Sequence, residues 1–425
     1  MGEIWAKIAR SAGAQTYSIL IGVLSMSLTA RLLGPEGRGQ VAAIVAWVAL
    51  FGTVGHLSLG LVATSRVATR KDPKWFGELL GSLLCIAVAV SVLGWMIALS
   101  LHFGPREGLF SGLPMLPLIM GFSMLPLLIL DSYGTSLLIA TERVDLYSKA
   151  LVLGRTISVL ALYFMLGLLA CGVTGAILAA ILGQTIISFV VIRNLVNESY
   201  GKLIFSWCET RALLIGGAKL HINAVGTFLF SLSTGVLIIN HYRGAVEAGY
   251  FQVAAQLLGV IMILPQAVSM VLYGKVTSLG PDKAWPLNRS ILKRAMLVTL
   301  IAATVAWVAA PWVIGVIAGS AFGPSVEVFR WLLPALLGTT LSSAMAPQWI
   351  GRGLFIQASA LTMTVGLVSL SVSLYFVEKL GMYGAAFATL VAYGIGAAIN
   401  IIFYLYCNRC KPKTILLINE NITNK

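Results

Sequence analysis

Six polar residues stand inside stretches that are otherwise apolar: His56, Asp131, Arg155, Lys219, His221 and Asn223. An ionisable group within a membrane-crossing helix costs roughly 2.5–3.5 kcal/mol on insertion scales, so such a group faces a cavity or a partner. Arg155 and Lys219 could attract an anion with little water to screen them. Their alternative is to snorkel, because both stems can reach the membrane interface. Lys219 and His221 are two residues apart, roughly 200° around a helix, so they cannot both address one ligand group; Lys219 and Asn223 share a face. His56 or His221 could exchange a proton near neutral pH, or could simply be bonded to a neighbouring helix. Asp131 could pair with a cation or accept a proton. No metal site is expected, since the one suggestive cysteine spacing, Cys407 with Cys410, supplies two ligands where a structural zinc takes four.

The elements that must position these residues follow from composition. The chain is 58% hydrophobic and only 10% charged, whereas soluble domains are about 45–50% apolar and about 25% charged. A span of the roughly 30 Å hydrocarbon core takes about 20 apolar residues in a helix, the form in which the backbone satisfies its own hydrogen bonds. The runs are continuously apolar rather than alternating, which excludes barrel strands. They predict an all-α integral membrane protein with twelve spans at 12–33, 41–63, 78–101, 114–139, 150–170, 173–194, 212–239, 250–273, 294–318, 328–348, 358–377 and 384–406. The first is too long for a signal-peptide core and is read as a retained helix.

With the N-terminus inside, 23 of the 29 Lys and Arg residues fall on the cytoplasmic side, and Arg31, Arg38, Arg106, Arg243, Arg330 and Lys379 fall in outer loops. Both termini are therefore expected in the cytoplasm. The net charge of +14 is accounted for by topology and anionic lipid, and no nucleic-acid partner is expected. All loops are short, which argues against an extramembrane catalytic domain and against a membrane polymerase or acyltransferase.

The two halves echo each other. Gly39-Gln40-Val41-Ala42-Ala43 returns 212 residues later as Phe251-Gln252-Val253-Ala254-Ala255, and Gly172-Val173-Thr174-Gly175-Ala176 returns 209 later as Gly381-Met382-Tyr383-Gly384-Ala385. Arg143 likewise lies 209 before Arg352. Six helices per half implies a parallel repeat, giving an N-terminal lobe with its connecting loop (1–211), a C-terminal lobe (212–406) and a tail (407–425). Pro126 and Pro334 are expected to interrupt the fourth and tenth helices at matching places.

Several stretches resemble the Wzx-type polysaccharide flippases of the multidrug/oligosaccharidyl-lipid/polysaccharide exporter superfamily. They are Ala30-Arg31-Leu32-Leu33-Gly34-Pro35-Glu36-Gly37-Arg38-Gly39, Ser58-Leu59-Gly60-Leu61 with Arg66, Gly217-Ala218-Lys219-Leu220-His221-Ile222-Asn223, and Ile263-Leu264-Pro265-Gln266-Ala267. The resemblance implies a V of two six-helix lobes in the bacterial inner membrane. It also implies translocation of an undecaprenyl-diphosphate-linked glycan by alternating access, beside other glycan-assembly proteins. Ser58 stands where members often carry Asp, and Ser233 and Gly235 where Arg and Asp are common, so ion-coupling roles of those residues do not transfer. No cofactor is implied; a coupling ion, H+ or Na+, is left open. Lipid-II export and drug or cation export remain alternatives, although a cation exporter would be expected to carry more deep carboxylates than Asp131.

Overall fold

The computed structural model describes the backbone from 2 to 409, apart from 71, 104–107, 111 and 200–201, and the side chains from 17 onward except 73, 219 and 409. Cys410 and the rest of the tail, Arg106 and the Lys219 side chain lie outside the described residues. Among those described, all regular structure is helical.

The chain begins with α1 (Gly2–Gly55), which is two helices joined at Gly34, whose φ of 68° and ψ of −175° are not helical. The Gln256 side chain bonds both Gly22 and Arg38. In a straight helix these residues would be about 24 Å apart, so the chain doubles back at Gly34. It continues through α2 (Leu59–Thr69), α3 (Pro73–His102), α4 (Met115–Phe122), α5 (Leu125–Ala140), α6 (Val144–Leu162) with a π-turn at Tyr163–Leu168, and α7 (Gly172–Glu198). The second half runs through α8 (Trp207–Leu229), α9 (Leu232–Arg243), α10 (Ala245–Ile261), α11 (Ile263–Leu279), α12 (Pro281–Ala318), α13 (Pro324–Leu332), α14 (Ala335–Gly351), α15 (Phe355–Leu380) and α16 (Met382–Arg409).

Each of the twelve spans read from the sequence falls on one pass of this path. By length and apolarity alone, nine helical stretches among the described residues could cross a membrane, and Trp207–Leu229, bent by 51°, makes a tenth. Tyr17–Gly55 counts once there although it is folded at Gly34, and the broken pair α13 and α14 is not among the nine. Of the residues read as outer-loop cations, Arg31, Arg38, Arg243, Arg330 and Lys379 are helical, and Arg38 alone among these five is buried, at 8% exposed, because the turn is made by Gly34 and the next helix starts at once.

Matching turns recur in the two halves. Gly34 and Gly244 (φ 85°, ψ 179°) occupy the same backbone region, one essentially restricted to glycine. Gly172 and Gly381 both have φ of 58°, in the 209-residue register of the sequence match. The fourth and tenth passes break at 123–124 and 333–334, near Pro126 and Pro334. Two matches shift. Glu142 (φ 61°) corresponds to Gly353 (φ 73°), so Arg143 aligns with Leu354 rather than Arg352. The turn glycines are 210 apart, two fewer than the Gln-Val-Ala-Ala match suggests, because sequence likeness between apolar helices outlasts small changes in register.

Packing is organised by end. Near Gly34 and Gly244, a single core joins both halves through Met26, Ile44, Ile177, Ile239, Phe251 and Leu332. At the other end the cores separate, one around Leu79, Leu83, Tyr133 and Val191 and one around Leu272, Met345 and Phe403. Lipid offers little hydrophobic gain for helix association, so close backbone approach through small residues carries much of the attraction. A Cβ on Gly39 would lie 1.7 Å from the Ala245 carbonyl oxygen, and one on Gly249 would lie 2.1 Å from that of Pro35. The two contacts are reciprocal, each relating a helix start in one half to its counterpart in the other.

Candidate functional site

A cavity of about 410 Å³ lies below this clasp and is lined from both halves. The doubled α1 supplies Ser25, Thr29 and Arg38; α6 supplies Arg155 and Ser158; α7 supplies Gln184; α9 and α10 supply Ser233, Gln252 and Gln256. Arg38 Nη2 donates to Gln256 Oε1 at 2.6 Å, and Gln256 Nε2 donates to the Gly22 carbonyl at 3.1 Å. Arg38 Nε is buried without a protein partner. Its charge is thus met by a neutral amide, an arrangement that costs free energy where no anion compensates it. The described lining holds two guanidinium groups, three primary amides and several hydroxyls, and no carboxylate. Such a surface accepts an anion and hydrogen-bonds neutral hydroxyls.

The residues singled out in the sequence do not converge on this cavity. Arg155 lines it. Asp131 lies behind, beside Gln184 and within the electrostatic reach of Arg155, with Tyr147 close to both charges. Asp131 makes no close ion pair among the described residues, and its Oδ1, like Gln184 Nε2, is buried without a protein partner. His56 and His221 meet edge to face where α1 breaks before α2, their ring centroids 5.5 Å apart. The break places Leu57 and Ser58 in the left-handed region (φ 47° and 54°). Ser58 N–H donates to His56 Nδ1 at 2.9 Å, and Ser58 Oγ lies 3.3 Å from His221 Nδ1. Both histidines thus sit where α8 meets the break between α1 and α2, and neither is in the lining of the cavity. Gly216 and Gly217 sit against Val62, Leu57 and Leu59 at the same contact.

Asn223 projects elsewhere, into a second cavity of about 440 Å³. This agrees with the helical spacing, since His221 two residues earlier faces α2. Residues that sequence reasoning missed are Arg38, Gln184, Gln252 and Gln256. The three glutamines carried a usable signal, being primary amides within predicted spans. Arg38 carried none beyond its place in the family-like turn.

Away from both cavities, Glu209 at the start of α8 joins three helices. Its carboxylate pairs with Arg66 at 2.6 Å and accepts from Trp75 Nε1 at 2.9 Å. Ion pairs Arg143 to Glu198 (2.8 Å) and Arg352 to Asp282 (2.7 Å) brace the same end of each half.

Comparison with known proteins gives this geometry its context. A profile described as "Polysaccharide biosynthesis protein" matches residues 4–273. A candidate O-antigen transporter of Shigella flexneri is 23% identical over 410 residues, covering 92% of this chain and 94% of that protein. Among solved structures, the lipid II flippase MurJ in an inward closed conformation superposes with a TM-score of 0.78 at 15% identity, covering 93% of this chain and 87% of MurJ. An inward-facing multidrug resistance transporter of the MATE family and MOP superfamily gives a TM-score of 0.67 at 15% identity, covering 93% and 96%. These likenesses establish the fold as that of the superfamily's exporters. The relatives are transporters and flippases, not enzymes. The chain belongs to the polysaccharide biosynthesis protein family, as a multi-pass membrane protein of the transporter type.

Proposed function

We infer that this chain is a flippase that carries an undecaprenyl-diphosphate-linked oligosaccharide from the cytoplasmic to the outer leaflet during assembly of an O-antigen, capsule or exopolysaccharide. The observation that carries this reading is the cavity shared by both halves, in which Arg38 and Arg155 face a space lined by amides and hydroxyls and by no described carboxylate. A diphosphate brings the negative charge that such a site lacks, and charge-assisted bonds to guanidinium are about twice as strong as neutral ones. The carrier tail would remain in lipid while the head group enters between the halves. Opening of the clasp at Gly39 and Gly249 would then present the head group on the other side. In this reading the protein sits in a bacterial inner membrane; the Lys and Arg bias favours cytoplasmic termini, and the clasp is then on the outer side. If an ion drives the cycle, the half-buried Asp131, within the electrostatic reach of Arg155, is the carboxylate available to carry a proton.

Lipid II export shares this chemistry, and the fold likeness to MurJ favours it as the second reading. Cation export is disfavoured by the sign of the cavity. The test is deletion of the gene in its host. Lipid-linked glycan units should accumulate facing the cytoplasm while surface glycan falls, and the intact gene should restore both. Normal surface glycan in a strain with no second flippase would refute the reading, and accumulation of lipid II alone would replace it with the second.

A further inference from the structure

The second cavity differs in chemistry from the first. It is lined mostly from the second half, by Asn223, Thr227, Tyr273, Trp349, Tyr393 and Asn400, with Leu61 of α2 at its edge and no charged side chain among its described lining. Its wall is organised. Trp349 stacks on Phe403 with centroids 3.8 Å apart and donates its Nε1–H to Asn400 Oδ1 at 2.9 Å. Asn400, 3% exposed, in turn donates to Ser342 Oγ at 3.2 Å and to the Gly396 carbonyl at 2.9 Å. Tyr393 is fixed edge to face against Phe230 at 5.9 Å. Rigid aromatic rings with interleaved amides and hydroxyls suit a ligand having both C–H faces and many neutral hydroxyls. About 440 Å³ lies within the range of small-molecule sites, roughly 300–1,000 Å³.

The two cavities flank one bend. Thr227 and Phe230, at the end of α8, line the neutral cavity, and Ser233, in the first turn of α9, lines the cationic one. Phe230 and Ser233 are three residues apart, at most about 10 Å of chain, so one extended ligand can address both.

We propose that the neutral cavity is a saccharide-binding site, separate from the cationic cavity, so that the glycan part of the substrate docks against α8, α14 and α16 while its diphosphate docks at Arg38 and Arg155. This rests on the flippase reading for the identity of the glycan, but the site is tested independently of transport. The full-length chain, with its five cysteines replaced by alanine or serine, carries a single cysteine as Thr227→Cys or Ser233→Cys. Labelling by a maleimide is timed with either of two probes: glycan released by mild acid from the host's own lipid-linked pool, or inorganic pyrophosphate. At about ten times the dissociation constant a site is about 90% occupied, so labelling should slow about tenfold where the probe sits. Glycan should protect position 227 and spare 233, and pyrophosphate should do the reverse. Should the replaced-cysteine chain misfold, Thr227→Trp and Ser233→Trp in the otherwise native chain give the same contrast by direct binding, each filling one cavity and weakening one probe. Glycan acting at 233, at neither position, or equally at both overturns the proposal. Failure of the flippase reading instead leaves surface glycan normal in the deletion strain, whatever the labelling pattern.

Discussion

Substituting alanine at Gly39 should push open the end of the molecule that the two halves share. The added Cβ would lie 1.7 Å from the Ala245 carbonyl oxygen, where ordinary contact begins at 3.4 Å. The shortfall is thus about 1.7 Å, and no side chain can rotate to relieve it because both partners are backbone. Overpacking of this kind costs about 1–3 kcal/mol. Spent on the closed arrangement alone, about 2 kcal/mol shifts its balance with an open one by roughly 30-fold. The assay is labelling of a single cysteine at the cavity-lining Ser25 by an impermeant thiol reagent in oriented vesicles, on the side nearer Gly34. The rate should rise by about an order of magnitude, with a lower melting temperature in detergent. Gly249→Ala, whose Cβ would lie 2.1 Å from the Pro35 oxygen, should behave alike. The double variant should fall short of the summed effects, since one contact already parts the helices. Gly274→Ala is the control: its Cβ meets nothing within 4 Å, so alanine there should be neutral or stabilising by up to about 1 kcal/mol. If Gly39→Ala and Gly274→Ala were indistinguishable in labelling and melting, the clasp would not hold the halves together.

Three further substitutions test other parts of the structure. Arg38→Gln should lower glycan export at least about tenfold, the equivalent of 1.4 kcal/mol, while leaving the melting temperature unchanged or higher, because a buried cation met only by an amide is removed; unchanged export would dismiss Arg38 from the site. Glu209→Gln should destabilise the chain by about 1–3 kcal/mol in thermal denaturation, less than the 3–5 kcal/mol of a fully buried pair because the Arg66 side chain is 31% exposed. A wild-type melting curve would mean the three helices are held by packing alone. Gly244→Ala places a Cβ on backbone at φ 85° and ψ 179°, a region costing about 1–3 kcal/mol for other residues, and should be seen as reduced folded yield; Gly259→Ala, with nothing within 4 Å, should give normal yield.

Much of the architecture was legible because lipid leaves a chain few choices. The twelve apolar runs map onto twelve passes, since each crossing must satisfy its backbone internally and span the same thickness. The 3.6-residue period was enough to separate His221 from Asn223, which the fold sends to a helix contact and to a cavity. Arg38 was not legible. A basic residue four positions after Gly34 reads as a loop cation, and only its contact with Gln256, 218 residues away, shows it to be a cavity residue. The repeat was visible, but its register at the first turn was two residues off. Helix-to-helix likeness in apolar sequence rewards any alignment of Val and Ala, whereas the fold registers on the turn glycines. The neutral cavity gave no sign beyond Asn223, because Trp349, Tyr393 and Asn400 are ordinary residues in separate helices until α14 and α16 pack together.

The reciprocal clasp also fixes a length. Gly39 follows the turn glycine Gly34 by five positions, and Gly249 follows Gly244 by five. Each helix start is therefore a ruler that delivers a bare backbone to the same height on its neighbour. One residue inserted after either turn would swing its crossing glycine by about 100° and bring a side chain to a place that admits only hydrogen. An insertion or deletion between turn and crossing point displaces the crossing glycine of whichever half carries it, because the partner oxygen next to the other turn stays where it is. A segment from 34 to 39 exchanged with that from 244 to 249 should, by the same count, still close.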